Sequence, residues 1–116
     1  MWFGGYEGLH RYDGYTIQTF NHDPNDPSSI AGGYVNKILE DSRGVIWVAT
    51  NNGLSKYERT TDRFTNYRSS ENDNTTLSSN SITDLIETDD GFIWVATTNG
   101  LNKLDWQTGK VKRLYP

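Results

Sequence analysis

The sequence has no cysteine, which excludes disulfides and thiolate metal sites and leaves the redox compartment open. Apolar residues are scarce. Only 34% of the chain is in the hydrophobic set, and no run approaches the ~18 apolar residues of a membrane span. Met1 leads straight into Trp2-Phe3-Gly4-Gly5, without the basic start and apolar stretch of a signal peptide. The net charge is −4 and the eleven Lys and Arg are scattered singly. Lys110, Lys112 and Arg113 do crowd together, but strand alternation sends them to different faces. With no basic stripe, nucleic acid is not an expected partner. A 3.6-residue apolar period is missing over any helical length, so essentially no helix is expected. Aromatics, by contrast, are plentiful at 13%, with four Trp, seven Tyr and four Phe. Each ring buries a large area, which suits many short strands packed face to face. It also separates the chain from disordered segments, which are poor in aromatic and β-branched residues.

The aromatics fall into a repeat. Ile46-Trp47-Val48-Ala49-Thr50 recurs unchanged as Ile93-Trp94-Val95-Ala96-Thr97, 47 residues later, and Asn52-Gly53-Leu54 recurs as Asn99-Gly100-Leu101. At the same offset, Asn25-Asp26-Pro27-Ser28-Ser29-Ile30 is echoed by Asn72-Asp73-Asn74-Thr75-Thr76-Leu77. A third copy opens the chain as Trp2-Phe3-Gly4 and Gly8-Leu9, 45 residues before Trp47 and Leu54. The difference lies in one turn, where Tyr12-Asp13-Gly14-Tyr15 replaces the longer segment from Glu58 to Arg63.

One repeat reads as four strands: Ile82 to Glu87, Phe92 to Thr97, Leu101 to Asp105 and Lys110 to Tyr115. Asp90-Gly91, Asn99-Gly100 and Thr108-Gly109 mark the turns, supplying the positive φ that tight hairpins need. Four strands every ~40–50 residues predict β-propeller blades. A β-sandwich with an internal duplication would not place the same Trp in the same strand of every unit. The expected fold is therefore all-β, a partial propeller of about three four-stranded antiparallel blades. Met1 stands where Ile46 and Ile93 stand, so the first blade lacks its innermost strand. The expected segments are 1–30 (partial blade and linker), 31–77 (second blade and linker) and 78–116 (third blade). Propellers close with roughly four to eight blades, so these cannot form a closed ring. The expected partners are the remaining blades of a longer chain, or other copies associating through open blade edges.

Ile-Trp-Val-Ala-Thr, followed by Asn-Gly-Leu and a Lys-Tyr or Lys-Leu pair, resembles the two-component regulator propeller repeat. Glu40-Asp41-Ser42-Arg43-Gly44-Val45-Ile46-Trp47 and the Asn-Asp-Pro-Ser-Ser linker are similar to that family too. The resemblance implies part of the periplasmic sensor region of a Bacteroidetes-like hybrid histidine kinase. It implies a response to carbohydrate. From the residues themselves no catalysis, no cofactor and no membrane insertion by this segment are expected. Two other propeller families fit less well. The sialidase-type Asp box would use Asp89, Gly91 and Trp94 but finds Glu87 in its Ser position, and Ser42 stands where the second repeat would need Asp. The WD-repeat Gly-His and Trp-Asp pairs are missing.

Trp2, Trp47 and Trp94 recur in one strand and read as packing between blades, although Trp faces also suit sugars. Trp106 is unrepeated and reads as a blade-edge cap or a contact residue. Glu40, Asp41, Glu87, Asp89 and Asp90 read as turn carboxylates rather than a catalytic pair. His10 and His22 have no third ligand nearby, so no metal site is expected. Asn74-Thr75-Thr76 fits a glycosylation sequon that short polar loops produce by chance. Ligand sites belong where loops meet on one face, and these loops vary between copies while the strands do not. The candidate ligand-binding residues are Tyr6, Glu7, Tyr34, Asn36, Asn51, Asn52, Thr98 and Asn99, with His22 and Asp23 in the same set of loops.

Overall fold

A computed structural model describes residues 1–5, 8–70 and 72–114. These residues form eleven strands in three antiparallel sheets and no helix. Blade 1 holds β1 (Trp2–Gly5), β2 (Gly8–Tyr12) and β3 (Ile17–Phe20). Blade 2 runs from β4 (Val35–Glu40) through β5 (Ile46–Thr50) and β6 (Gly53–Glu58) to β7 (Arg63–Tyr67). Blade 3 repeats it with β8 (Ile82–Glu87), β9 (Ile93–Thr97), β10 (Gly100–Leu104) and β11 (Val111–Leu114). Strand order follows chain order in each sheet, and the sheets do not join into a closed ring.

The hairpins match the sequence signals. Gly8, Gly53 and Gly100 open the third strand of each repeat with φ of 92°, 126° and 116°, a region that L side chains avoid. Both innermost strands carry an irregularity that no Gly or Pro announces. Register shifts between Val35 and Lys37 in β4, and between Ile82 and Asp84 in β8.

Two cores lie between the sheets. Blade 1 brings Trp2, Leu9 and Phe20 against Ile30, Val35, Ile46, Val48, Tyr57 and Phe64 of blade 2. Blade 2 in turn presents Trp47, Ala49, Leu54 and Tyr67 to Leu77, Ile82, Leu85, Ile93, Val95, Leu104 and Val111 of blade 3. Every strand of blade 2 is thus used twice, one side chain pointing back and the next forward. The Trp face of each blade packs on the aliphatic face of the next. Trp47 is fully enclosed between blades 2 and 3, while Trp94, on the outer face of blade 3, is half-buried.

Gly4 shows how close two blades come: a Cβ there would stand 2.6 Å from Val35. The linkers close each sheet on its outer side. The Phe64 N–H donates to Ser28 O at 2.9 Å and the Val111 N–H to Thr75 O at 2.8 Å, so each linker pairs with the last strand of the blade it leads into.

Candidate ligand-binding face

One end of the stack gathers the β5–β6 and β9–β10 turns with the linker segments entering β4 and β8. In blade 2, Asn51 N–H donates to Tyr34 O at 3.1 Å, and Asn51 Oδ1 accepts from Tyr34 N–H at 3.3 Å. Asn52 Nδ2 donates to Ala31 O at 3.3 Å, while Thr50 Oγ1 donates to Gly53 O at 2.7 Å across the turn. Blade 3 repeats the frame. Asn99 Nδ2 donates to Ser78 O at 3.4 Å, Thr97 Oγ1 to Gly100 O at 2.9 Å, and Thr98 N–H to Ser81 O at 3.1 Å. Thr98 Oγ1 lies 3.3 Å from Ser79 Oγ.

The repeated residues of this face, Asn52 and Asn99, therefore tie each turn to its linker. The unrepeated ones, Tyr34 against Ser81 and Asn51 against Thr98, sit on that shared frame with different chemistry. Asn51, Asn52, Thr98 and Asn99 are exposed and Tyr34 is half-buried. Tyr6 and Glu7 lie outside the described residues. Asn36 is exposed but stands apart, in the β4 irregularity, where its Nδ2 donates to Ile82 O of blade 3 at 2.8 Å. Beside it Lys37 and Asp84 approach to 3.7 Å across the two innermost strands. In the first linker, His22 Nδ1 sits 2.9 Å from Ile30 O and the Asp23 N–H donates to Ser29 Oγ at 2.9 Å, so both serve the linker's own fold. No group of three or more His, Cys, Asp or Glu residues among the described residues is arranged to hold a metal ion.

Arg68 and Asn80 belong to this face and escaped the sequence reading. Arg68 donates from Nη2 to Ala31 O at 2.7 Å and from Nε to Asn52 O at 2.9 Å. The Gly53 N–H donates to Asn80 O, and the Ser69 N–H to Asn80 Oδ1, both at 2.6 Å. An Arg on a long linker gives no periodic signal, so only the fold reveals it. The rim holds two further clefts at equivalent places between blades. One of about 240 Å³ is lined by Thr19, Phe20, Ser28, Asp62 and Phe64, and one of about 200 Å³ by Asn66, Tyr67, Thr75, Gly109 and Val111.

At the opposite end the turn carboxylates are engaged. Ser42 N–H and Oγ donate to the two Glu87 oxygens at 2.8 and 2.7 Å, binding blade 2 to blade 3. Asp41 is buried and accepts from Trp47 Nε1 at 2.9 Å and Arg43 Nη2 at 2.6 Å. Arg43 then stacks on Trp106 of blade 3, its guanidinium carbon 3.5 Å from the ring centroid. Trp106 is thus a clasp between blades. Between blades 1 and 2, Arg11 Nη1 donates to the Tyr57 hydroxyl at 2.7 Å, and Asp62 accepts from Tyr57, Gln18 and Arg11. The Tyr57 hydrogen bond is the main influence that, against burial, holds the Asp62 carboxyl below its ordinary pKa; Gln18 and Arg11 assist.

Repeated four-stranded sheets joined Trp face to aliphatic face agree with the comparisons. The family described as Two component regulator propeller matches residues 29–52 and 76–99, the linker-to-turn stretch of each complete blade. Blades 2 and 3 are two-component regulator propeller repeats. The extracellular domain of the hybrid two-component system BT3049 from B. thetaiotaomicron is 30% identical over 98% of this chain, with a TM-score of 0.87. The extracellular domain of BT4673, from the same organism, is 17% identical over 98% of the chain at a TM-score of 0.52, a likeness of fold. The chain spans only 16% and 23% of the lengths of those two proteins. No curated protein matches it. Among the described residues no helix is long and apolar enough to cross a membrane.

Proposed function

We propose that this propeller segment is part of the ligand-receiving region of a hybrid two-component sensor. It takes a carbohydrate at the face carrying Tyr34, Asn51, Asn52, Thr98 and Asn99, and performs no catalysis itself. The observation that carries this reading is the division of labour on that face. Thr50 and Thr97, with Asn52 and Asn99, hold the same turn in both blades, while Tyr34 gives way to Ser81 and Asn51 to Thr98. A fixed frame with changing amides, hydroxyls and one aromatic ring suits a polyhydroxylated ligand, which needs directional hydrogen bonds beside an apolar face. The non-catalytic reading draws support from the engaged Glu87 and Asp41 carboxylates. The periplasmic reading draws support from the extracellular domains the chain resembles. Phosphotransfer belongs to a kinase outside these residues.

The test is a thermal-shift and calorimetric screen against an oligosaccharide panel, with Tyr34→Ala and Asn51→Ala alongside. A ligand that binds only the folded state must raise its melting temperature. The expected result is stabilisation by at least one oligosaccharide and about tenfold weaker binding in either variant, a change of about 1.4 kcal/mol. Stabilisation by none, or binding indifferent to both substitutions, overturns the reading. An alternative is a protein-binding scaffold, for which no oligosaccharide would stabilise the folded state.

A further inference from the structure

We infer, resting on the sensor reading above, that the saccharide this face receives is acidic, its carboxylate or sulfate held by Arg68 and Asn80 where blades 2 and 3 meet. Both blades that form this seam are complete four-stranded sheets. Arg68 and Asn80 grip opposite edges of one peptide unit. Arg68 Nε donates to Asn52 O at 2.9 Å, and the N–H of the same trans peptide, that of Gly53, donates to Asn80 O at 2.6 Å. Each side chain has a second anchor. Arg68 Nη2 donates to Ala31 O at 2.7 Å, and Asn80 Oδ1 accepts from the Ser69 N–H at 2.6 Å. Packing fixes the arginine further, since a Cβ on the buried Gly53 would stand 3.0 Å from Arg68 Cγ.

What these bonds leave over is a set of donors. With Nε and Nη2 committed, the guanidinium keeps Nη1, whose two N–H groups have no acceptor among the described residues. With Oδ1 turned to Ser69, the Asn80 amide keeps Nδ2, which also has no acceptor among the described residues. Arg11, Arg43 and Arg63 each pair with an aspartate, whereas no carboxylate among the described residues pairs with Arg68. Arg68 is exposed and Asn80 half-buried, so both reach solvent. Ser79, next to Asn80 in the chain, adds its hydroxyl and that of Thr98, 3.3 Å apart. A fixed guanidinium and a fixed amide with N–H groups to spare make a site for an oxyanion. Charge-assisted hydrogen bonds of this kind are roughly twice as strong as neutral ones.

The seam between blades 1 and 2 shows that the turn itself does not need these side chains. The residues 47 positions earlier are Asn21 and Gly33. Asn21 is uncharged, and Gly33 has open space where a Cβ would stand. The glycine of the turn is kept there all the same: Gly8, the counterpart of Gly53, also has a positive φ, 92° against 126°. Arg68 and Asn80 are unrepeated residues on a repeated turn, as Tyr34 and Asn51 are.

Calorimetry on the full chain tests this with acidic oligosaccharides, each run beside its neutral match. Oligouronates are paired with their methyl esters, and sulfated oligosaccharides with their desulfated forms, which separates carboxylate from sulfate. The expected result is binding about tenfold tighter for the acid in one of the two classes, weakening as NaCl rises from about 50 to 500 mM. Asn80→Asp keeps both acceptors that close the seam, so the melting temperature should change little. It replaces the donor with a like charge, and should weaken the acidic ligand about tenfold. Arg68→Lys keeps the charge but cannot bridge two carbonyls; it should melt at lower temperature and still favour the acid. Arg68→Gln should lose that preference. Equal binding within every pair, or a preference for the acid that survives Asn80→Asp and Arg68→Gln, overturns the inference and leaves the sensor reading standing. Binding of no saccharide, acidic or neutral, removes both.

Discussion

Trp47 and Asp41 each solve the other's problem. The indole is fully buried and its N–H needs an acceptor; the carboxylate is buried and needs donors. Burial pushes the Asp41 carboxyl up, but hydrogen bonds from Trp47, from the Val45 and Arg43 backbone, and the Arg43 charge outweigh it and leave the pKa lowered. A carboxyl depressed in the folded state contributes stability above its unfolded value, about 3.9, and loses it as pH falls through the folded one. Melting temperature should therefore drop on acidification below about pH 4, and Asp41→Asn should flatten that limb while costing about 2 kcal/mol at neutral pH. Thermal melts followed by Trp fluorescence check both. The sequence makes the Trp repeat plain but hides its acceptor, because blade 3 uses Thr88, whose Oγ1 accepts from Trp94 Nε1 at 3.1 Å. What recurs is an oxygen, not a residue type. Trp106 is opaque for a similar reason: its partner Arg43 sits on the neighbouring blade, and the repeat puts Asp90 in that place.

Strands were the most legible elements. The four expected in blade 3 are found within a residue or so at each described end, because Asp-Gly, Asn-Gly and Thr-Gly mark their turns. The register shifts in β4 and β8 were not legible, since Asn36 and Thr83 look like ordinary strand residues. The loop face was legible as a location: Tyr34, Asn51, Asn52, Thr98 and Asn99 do share one end. Which of them hold the frame was not, because an Asn bonded to its own backbone reads like one that meets a ligand. Gly53 tests the frame directly. Its φ is 126° and a Cβ would stand 2.9 Å from Tyr67 O, so Gly53→Ala should cost about 1–3 kcal/mol in urea denaturation. The same change at Gly5, where a Cβ meets nothing within 4 Å, should cost less.

Across the whole molecule, each blade touches only its neighbours, so stability is close to a sum of blade and interface contributions. Blade 2 has a partner on both faces and all five residues of β5 are buried, whereas β3 of blade 1 is largely exposed. Hydrogen exchange should accordingly be slowest in β5 and β6 and fastest in β3. Equal protection across the three blades would contradict a nearest-neighbour stack.

The linker bonds carry a consequence for synthesis. Ser28 and Thr75 emerge from the ribosome ahead of the blades they serve, yet their partners, Phe64 and Val111, lie in the last strand of each. A blade is therefore sealed only when its final strand arrives. At roughly 5–20 residues per second, the 47-residue repeat spaces those closures by roughly two to nine seconds. Until each closure, the Ile30 or Leu77 that the linker carries has no finished sheet to enter. The nascent chain matures in blade-sized steps.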